Sequence, residues 1–235
     1  MKRNFIVMIF SVLMLLCTTA SAKTIVVYYS YTNNCREIVT TLTSLIDADV
    51  LEILPAEKGL KYEANGYALG TQLLNAIQAA PNDASSYPAI DPVTISLSDY
   101  STIIIVTPLW WSQMAAPMQT YLFNYGGQMA GKNVGLIVSS ASSGISGVAA
   151  DCKRLVPDGN YFSENLWVNH SNHSNRASLI QNWLTAVNYN TVTGISEVKT
   201  ATSAPTRIYD LAGRLLRQKP SKGIYIINGK KRIVE

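Results

Sequence analysis

Residues 24–37, TIVVYYSYTNNCRE, join a buried strand directly to a polar turn and then to a helix. The first six residues are β-branched or aromatic and do not alternate with polar ones, which is typical of a central parallel strand covered on both faces. Ser30, Thr32 and two asparagines then form a turn, and a helix that starts near Cys35 directs free backbone N–H groups at it. The stretch predicts an anion-binding turn, although an ordinary strand-to-helix turn with polar caps would also fit.

Strands and helices alternate through the rest of residues 23–188. Strands are predicted at residues 24–29, 50–54, 102–107, 133–139 and 161–168, and helices at about 34–46, 63–80, 116–124, 145–155 and 176–188. This alternation predicts a doubly wound, five-stranded parallel sheet, and right-handed crossovers fit the strand order 2-1-3-4-5. Ligands in such sheets bind beyond the carboxyl ends of strands one and three, where the order reverses.

The loop after the third strand carries two adjacent tryptophans behind a proline, in residues 103–112, IIIVTPLWWS. Neighbouring residues of an extended chain point in opposite directions, so one indole can pack inward while the other flanks a ligand. Two core tryptophans remain the alternative.

The loop after the fourth strand, residues 140–147, SASSGISG, is made of small residues that let the backbone approach a flat ring closely. Ser142, Ser143 and Gly144 are the expected contacts. A helix-capping turn would also explain this composition.

These loops resemble those of flavodoxins. Residues 30–35, SYTNNC, are similar to the family's phosphate loop Ser/Thr-x-Thr-Gly-Asn-Thr, with Asn33 at the glycine position and Cys35 in place of a hydroxyl residue. Tyr100, Pro108 and the two tryptophans match a Tyr-Asp-x-Ile-x-x-x-x-Pro-x-Trp-Trp segment of a flavodoxin-like family. The resemblance implies a flavodoxin-like fold and FMN as cofactor. A thiol is a weak hydrogen-bond donor, so Cys35 is expected to weaken the hold on the phosphate.

The resemblance places the FMN phosphate on residues 30–35, and the isoalloxazine between a tryptophan and the 142–144 loop. The predicted cofactor-binding residues are Ser30, Tyr31, Thr32, Asn33, Asn34, Cys35, Pro108, Leu109, Trp110, Trp111, Ser142, Ser143 and Gly144. No catalytic residue and no metal site are predicted.

Residues 1–22 have the pattern of a secretory signal peptide, with two basic residues, a short apolar core and a small-residue end at Ala22. The apolar core is shorter than a spanning helix needs, so no membrane span is expected after cleavage, although Cys17 leaves lipid attachment open. We therefore predict export to the periplasm, the cell surface or the medium. Export would permit a disulfide between Cys35 and Cys152, but we predict two buried free thiols.

The C-terminal residues 206–235 read as a short β tail after a polar linker at 189–205. Three β segments are separated by turn signals, of which Asn228-Gly229 is a strong hairpin turn. Residues 207–214 and 220–231 resemble the C-terminal tails of secreted Bacteroidetes proteins, some of which direct export through a type IX secretion system. A plain β appendage is the alternative.

The charge and the motifs exclude several function classes. The formal charge of +4 falls to +2 once the signal peptide is removed, which argues against a nucleic-acid partner. Dinucleotide-binding, nucleophile-elbow and zinc-protease motifs are missing.

The leading hypothesis is an exported FMN protein that passes electrons to a redox partner protein or a small acceptor. An NAD(P)H-dependent FMN or quinone reductase, with residues 56–99 walling a substrate pocket, and a surface protein that has lost FMN are the alternatives.

Overall fold

The computed structural model describes residues 23–193 and, in the C-terminal tail, residues 208–209, 215–216, 223–227 and 230–234. The predicted signal peptide, most of the predicted linker and the predicted turns of the tail lie outside the described residues. In the first region the strands are β1 (Lys23–Tyr28), β2 (Asp49–Glu52), β3 (Tyr100–Trp110), β4 (Gln113–Met114), β5 (Asn133–Ser140), β6 (Asn160–Tyr161) and β7 (Leu166–Asn169). The α-helices are α1 (Asn34–Leu45), α2 (Ala64–Ala79), α3 (Ala116–Tyr125), α4 (Ser146–Leu155), α5 (Arg176–Ala186) and α6 (Tyr189–Thr193).

A parallel sheet organises these elements in the order β2-β1-β3-β5, with β6 and β7 both paired to β5. The predicted order is confirmed, and so is the flavodoxin-like doubly wound fold. The strand predicted at 161–168 is wrong as one continuous element, because the chain leaves the ladder between β6 and β7. The short β4, which the sequence patterns did not predict, pairs antiparallel with the end of β3.

Two hydrophobic cores lie on opposite faces of the sheet, because successive strand residues point to opposite sides. Ile25 and Val27 of β1 belong to one core, and Val26 and Tyr28 belong to the other. All four are buried, as expected for a strand covered on both faces.

Cys35 and Cys152 are buried free thiols, as predicted. Cys35 packs in the core with Val26, whereas Cys152 packs in the core with Ile25. Because the sheet separates these two cores, the disulfide considered from the sequence does not form.

The packed region continues past residue 188, where the sequence placed a linker. Helix α6 begins at Tyr189, whose side chain is buried and whose hydroxyl lies 2.8 Å from Thr24 Oγ1 in β1.

The C-terminal tail forms an antiparallel sheet of four short strands in the order β11-β10-β8-β9. These strands are β8 (Ile208–Tyr209), β9 (Leu215–Leu216), β10 (Gly223–Ile227) and β11 (Lys230–Val234). The predicted β appendage therefore has four strands instead of three. Within the described ranges, no helix is long and apolar enough to cross a bilayer.

Candidate functional site

A cavity of about 720 Å³ opens beyond the carboxyl ends of β1, β3 and β5. Its position is the point where the strand order reverses, because β2 lies on one side of β1 and β3 on the other. The rule applied to the sequence therefore located the cavity. The lining residues are Tyr31, Thr32, Asn34, Tyr62, Glu63, Tyr67, Gly70, Pro108, Leu109, Trp110, Trp111, Ser139, Ser140, Ala141 and His170.

The turn between β1 and α1 forms one wall. Asn33 caps α1 in the left-handed conformation, with φ 66°, which asparagine adopts more readily than most residues. The Arg36 N–H donates to Ser30 Oγ at 3.3 Å, and the Arg36 guanidinium donates to Asn33 Oδ1. Thr32 and Asn34 line the cavity at the amino end of α1. Free N–H groups and the helix dipole favour an anion at this wall.

Cys35 does not line the cavity. Its side chain is 1% exposed, and burial raises the pKa of the thiol despite a hydrogen bond with Ser139. The thiol therefore belongs to the core beneath the turn, and it is not in place to contact a phosphate in the cavity.

The two tryptophans sit at the tip of the hairpin formed by β3 and β4. Trp110 pairs with Gln113, so Trp111 and Ser112 form a two-residue turn, with φ values of 49° and 64°. Trp110 packs inward, and its ring centroid lies 4.6 Å from that of Tyr62 and 5.8 Å from that of Tyr29. Trp111 is 59% exposed. The expectation that the two indoles would point in different directions agrees with this arrangement.

Aromatic side chains from the segment before and within α2 complete the opposite wall. The Tyr31 and Tyr62 rings meet edge to face at 5.1 Å, and Tyr67 meets Trp111 in the same way at 6.4 Å. The Tyr31 hydroxyl donates to the Glu63 carboxylate and accepts from the Tyr62 N–H at 3.2 Å. Burial raises the pKa of Tyr62, so this phenol carries no charge near neutral pH.

The third wall comes from the end of β5. Ser139, Ser140 and Ala141 line the cavity. Ser140 Oγ accepts from Trp167 Nε1 at 2.8 Å and donates to the Ser143 carbonyl at 2.9 Å. The loop contacts therefore begin three residues earlier than the sequence suggested.

The structure brings seven of the thirteen predicted residues together around the cavity. These are Tyr31, Thr32, Asn34, Pro108, Leu109, Trp110 and Trp111. The other six do not line it, and they are Ser30, Asn33, Cys35, Ser142, Ser143 and Gly144. Ser30 and Asn33 instead shape the turn, whereas residues 142–144 are exposed beyond the cavity.

Several lining residues were not predicted individually. Tyr62, Glu63, Tyr67 and Gly70 come from the segment expected to wall a pocket. Gly70 lies against Trp110, whose ring would make an ordinary van der Waals contact at 3.8 Å with an added Cβ. His170 follows the carboxyl end of β7, so the same sheet-edge rule could have found it.

The charges around the cavity limit what it can hold. Glu63 is the one carboxylate among the lining residues, and none of them is a lysine or an arginine. An anionic group in the cavity would therefore be held without lysine or arginine, by hydroxyls, backbone N–H groups, the Asn34 amide or the His170 imidazole. Residues with described side chains form no group of three or more histidine, cysteine or acidic residues suited to a metal ion.

Comparison with solved structures gives the same fold. A Bacteroides eggerthii protein assigned as a flavoprotein is 23% identical, with a TM-score of 0.55, and covers 71% of this chain and 98% of its own. A similar Bacteroides uniformis protein is 24% identical, with a TM-score of 0.55, over 68% of this chain and 99% of its own. A Lactobacillus acidophilus flavoprotein in complex with FMN is 20% identical, with a TM-score of 0.52, over 66% of this chain and 99% of its own.

No curated protein matches the chain. The family model described as Flavodoxin matches residues 23–187, which include every strand of the parallel sheet and every wall of the cavity. The chain therefore belongs to the flavodoxin family.

Proposed function

We propose that this protein binds FMN non-covalently in the cavity and transfers electrons through it. The observation that carries the proposal is the meeting of two chemically different walls in one cavity. The amino end of α1 and Thr32 favour an anion, while Tyr62, Trp110 and Trp111 provide flat apolar surfaces. FMN has both a phosphate and a planar ring system. The FMN complex of the Lactobacillus acidophilus relative supports this choice of ligand.

The phosphate end of the site would depend on the turn before α1. The left-handed Asn33 shapes this turn, and Thr32 and Asn34 line the cavity at the amino end of α1. The first N–H groups of a helix have no intrahelical acceptor and can donate to a phosphate. A phosphate bound there would gain charge-assisted hydrogen bonds and the favourable end of the helix dipole. The Arg36 guanidinium binds Asn33 and Glu52 and does not line the cavity, so we do not include it among the phosphate ligands.

The ring end of the site would depend on the hairpin tip and on the wall formed by Tyr62 and Tyr67. Bound FMN supplies the electron-transfer chemistry, and the protein binds and orients its ring. Glu63 and the lack of lining lysine or arginine disfavour added negative charge on that ring. We expect the site to lower the reduction potential of bound FMN for this reason.

The presence of Glu63 and the lack of lysine or arginine among the lining residues also favour an electron carrier over an NAD(P)H-dependent reductase. A reductase must also hold the phosphates of a pyridine nucleotide, and such sites use basic side chains or helix ends. Two helix starts line this cavity: that of α1 is assigned to the FMN phosphate, and that of α2 carries the Glu63 carboxylate, which disfavours a second phosphate. Reduced nicotinamide nucleotides should therefore bleach bound FMN slowly, and rapid bleaching in a stopped-flow experiment would favour the reductase.

A flavin titration tests the proposal. The apoprotein is titrated with FMN and, in parallel, with riboflavin, which lacks the phosphate, while flavin fluorescence and visible absorbance are recorded. We expect saturable FMN binding, weaker riboflavin binding, and a smaller difference between the two flavins in Thr32→Val, which removes one of the phosphate's expected hydrogen-bond donors. Failure to bind FMN under mild conditions would refute the proposal. Equal affinity for both flavins would refute the phosphate site.

We also propose that the protein is exported after cleavage behind Ala22. The support is the sequence pattern of residues 1–22 alone. Intact-mass analysis of protein from the native host should give a chain that begins at Lys23. A retained Met1 would contradict export by this route.

A further inference from the structure

The hairpin that carries the two tryptophans is held at its base by side chains that do not line the cavity. The Met114 N–H in β4 donates to Asp151 Oδ2 of α4 at 3.0 Å. The Met114 carbonyl accepts from Gln119 Nε2 of α3 at 2.8 Å. Both main-chain polar groups of Met114 are thus bound by side chains from two helices. The returning arm of the hairpin is therefore fixed from outside the sheet.

A single arginine ties these two side chains together. Arg154 donates to Asp151 Oδ1 at 3.2 Å and to Gln119 Oε1 at 2.8 Å. Its other terminal nitrogen donates to the Tyr87 hydroxyl at 3.1 Å. Gln119 is fully buried, whereas the side chains of Asp151 and Arg154 are 15% and 36% exposed. Because the buried amide and the largely buried carboxylate both have partners, the network holds them in one geometry.

The tip of the hairpin needs such support because its backbone is strained. Trp111 and Ser112 both have positive φ, a combination that two-residue hairpin turns usually meet with asparagine and glycine. Positive φ is disfavoured for a bulky residue such as tryptophan, and this backbone conformation persists only where the surrounding structure enforces it. Gly147 at the start of α4 provides close contact, since a Cβ there would lie 2.0 Å from the Ser112 carbonyl oxygen.

We propose that Asp151 is a positioning residue for the flavin site. By accepting the Met114 N–H, it holds the strained tip so that Trp110 and Trp111 face the cavity, and it acts on FMN affinity without lining the cavity. The effect on affinity rests on the proposed function. The effect on the orientation of Trp111 does not, because it is a property of the protein without ligand.

Asp151→Ala removes the acceptor of the Met114 N–H and tests the proposal. We expect about ten-fold weaker FMN binding, measured by titration at a temperature where the variant is fully folded by circular dichroism. Asp151→Asn keeps an oxygen that accepts from Met114, so it should retain more affinity than Asp151→Ala. Asp158→Asn is the matched control, because it removes one negative charge from an exposed position seven residues further along the chain.

Acrylamide quenching in the apoprotein separates positioning from general stability. Subtracting the signal of each protein's Trp111→Phe counterpart isolates the emission of Trp111. Asp151→Ala should change its quenching constant, whereas Asp158→Asn should not. Adding Ser112→Gly to Asp151→Ala should recover part of the lost FMN affinity, because glycine accepts positive φ without strain.

The outcomes distinguish this inference from the proposed function. If the wild-type protein does not bind FMN, the proposed function is wrong, and Trp111 quenching alone decides whether Asp151 positions the tip. If Asp151→Ala matches Asp158→Asn in FMN affinity and in Trp111 quenching, the positioning inference is overturned. Weaker FMN binding with unchanged quenching and no recovery by Ser112→Gly would also overturn it.

Discussion

The ring of Trp110 packs against that of Tyr62 with centroids 4.6 Å apart and planes tilted by 50°. This contact joins the end of β3 to the segment before α2, and Tyr62 is only 4% exposed. Trp110 therefore serves the fold as well as the cavity wall. Its neighbour Trp111 is exposed and strained, so the structure assigns different roles to two identical adjacent residues.

Trp111→Asn should separate binding from stability. Asparagine accepts the φ of 49° better than tryptophan, and little buried surface is lost at an exposed position. We expect apoprotein stability to stay within about 0.5 kcal/mol of wild type or to rise, and FMN affinity to fall about ten-fold as an aromatic contact is lost. Urea unfolding and flavin titration measure the two effects. Trp110→Leu is the comparison, and it should lower both quantities.

Asn33 should tolerate glycine but not alanine. Its left-handed φ of 66° is free of strain for glycine, whereas a Cβ without a compensating polar group costs about 1–2 kcal/mol. Urea unfolding should therefore show Asn33→Ala to be clearly less stable than Asn33→Gly. Asn182→Ala, in the exposed face of α5, is the control and should be neutral or slightly stabilising. Equal stability of the two Asn33 variants would argue against the left-handed cap.

The position of the cavity could be predicted from the hydrophobic pattern of the strands and from the rule that ligands bind where the strand order reverses. Residues 25–28 lack polar alternation, which indicates that β1 is central, and a central first strand puts a switch point beside it.

The burial of Cys35 could also be predicted from the sequence. Cys35, Ile38, Val39 and Leu42 are all buried in α1, at the spacing of one helix face. The helical period places Cys35 in the core, whereas the loop pattern of residues 30–35 placed it at the phosphate.

Other parts of the site could not be derived from sequence patterns. Tyr62 and Glu63 precede a helix whose first turn contains left-handed residues, so no periodicity marks the wall they form. Residues 139–144 are serine, alanine or glycine, so the sequence does not distinguish the residues that line the cavity from those that do not. The hairpin tip needs positive φ at Trp111 and Ser112, which neither residue type predicts.

The two cysteines should be unreactive in the folded protein. Burial raises the pKa of Cys152 to about 12 and also raises that of Cys35, so neither forms the reactive thiolate near pH 8. A thiol-specific disulfide reagent should label neither cysteine in the native state. In guanidinium chloride it should label both in a chain that begins at residue 23. A mass increase of two units on reduction would instead reveal a disulfide.

Acid should weaken the link that Glu37 makes between α1 and residues 173–176 at the start of α5. A hydrogen bond from His173 and the charge of Arg176 lower the pKa of the Glu37 carboxyl below its ordinary value of 4.5. A carboxylate with a lowered folded-state pKa stabilises the fold above its unfolded value, and this contribution is lost as pH falls through the folded value. The stability difference between wild type and Glu37→Gln should therefore be larger near pH 7 than near pH 3. Glu164→Gln, at an exposed position, is the control.

The folded domain should require Tyr189 but not the C-terminal tail. The Tyr189 side chain is 1% exposed, its hydroxyl lies 2.8 Å from Thr24 Oγ1, and its carbonyl accepts from Thr193 Oγ1 at 2.6 Å. A chain ending at residue 193 should unfold in urea at the same midpoint as one ending at residue 205. A chain ending at residue 188 should lose about 3 kcal/mol, because a large buried side chain is removed.

Tyr189→Phe isolates the hydrogen bond, since it keeps the ring but leaves Thr24 Oγ1 without this partner. It should cost about 1 kcal/mol. If the chain ending at residue 188 were as stable as the longer chains, α6 would make no contribution to the fold. The domain would then end where the sequence first placed the linker, because burial of Tyr189 is the reason for extending it.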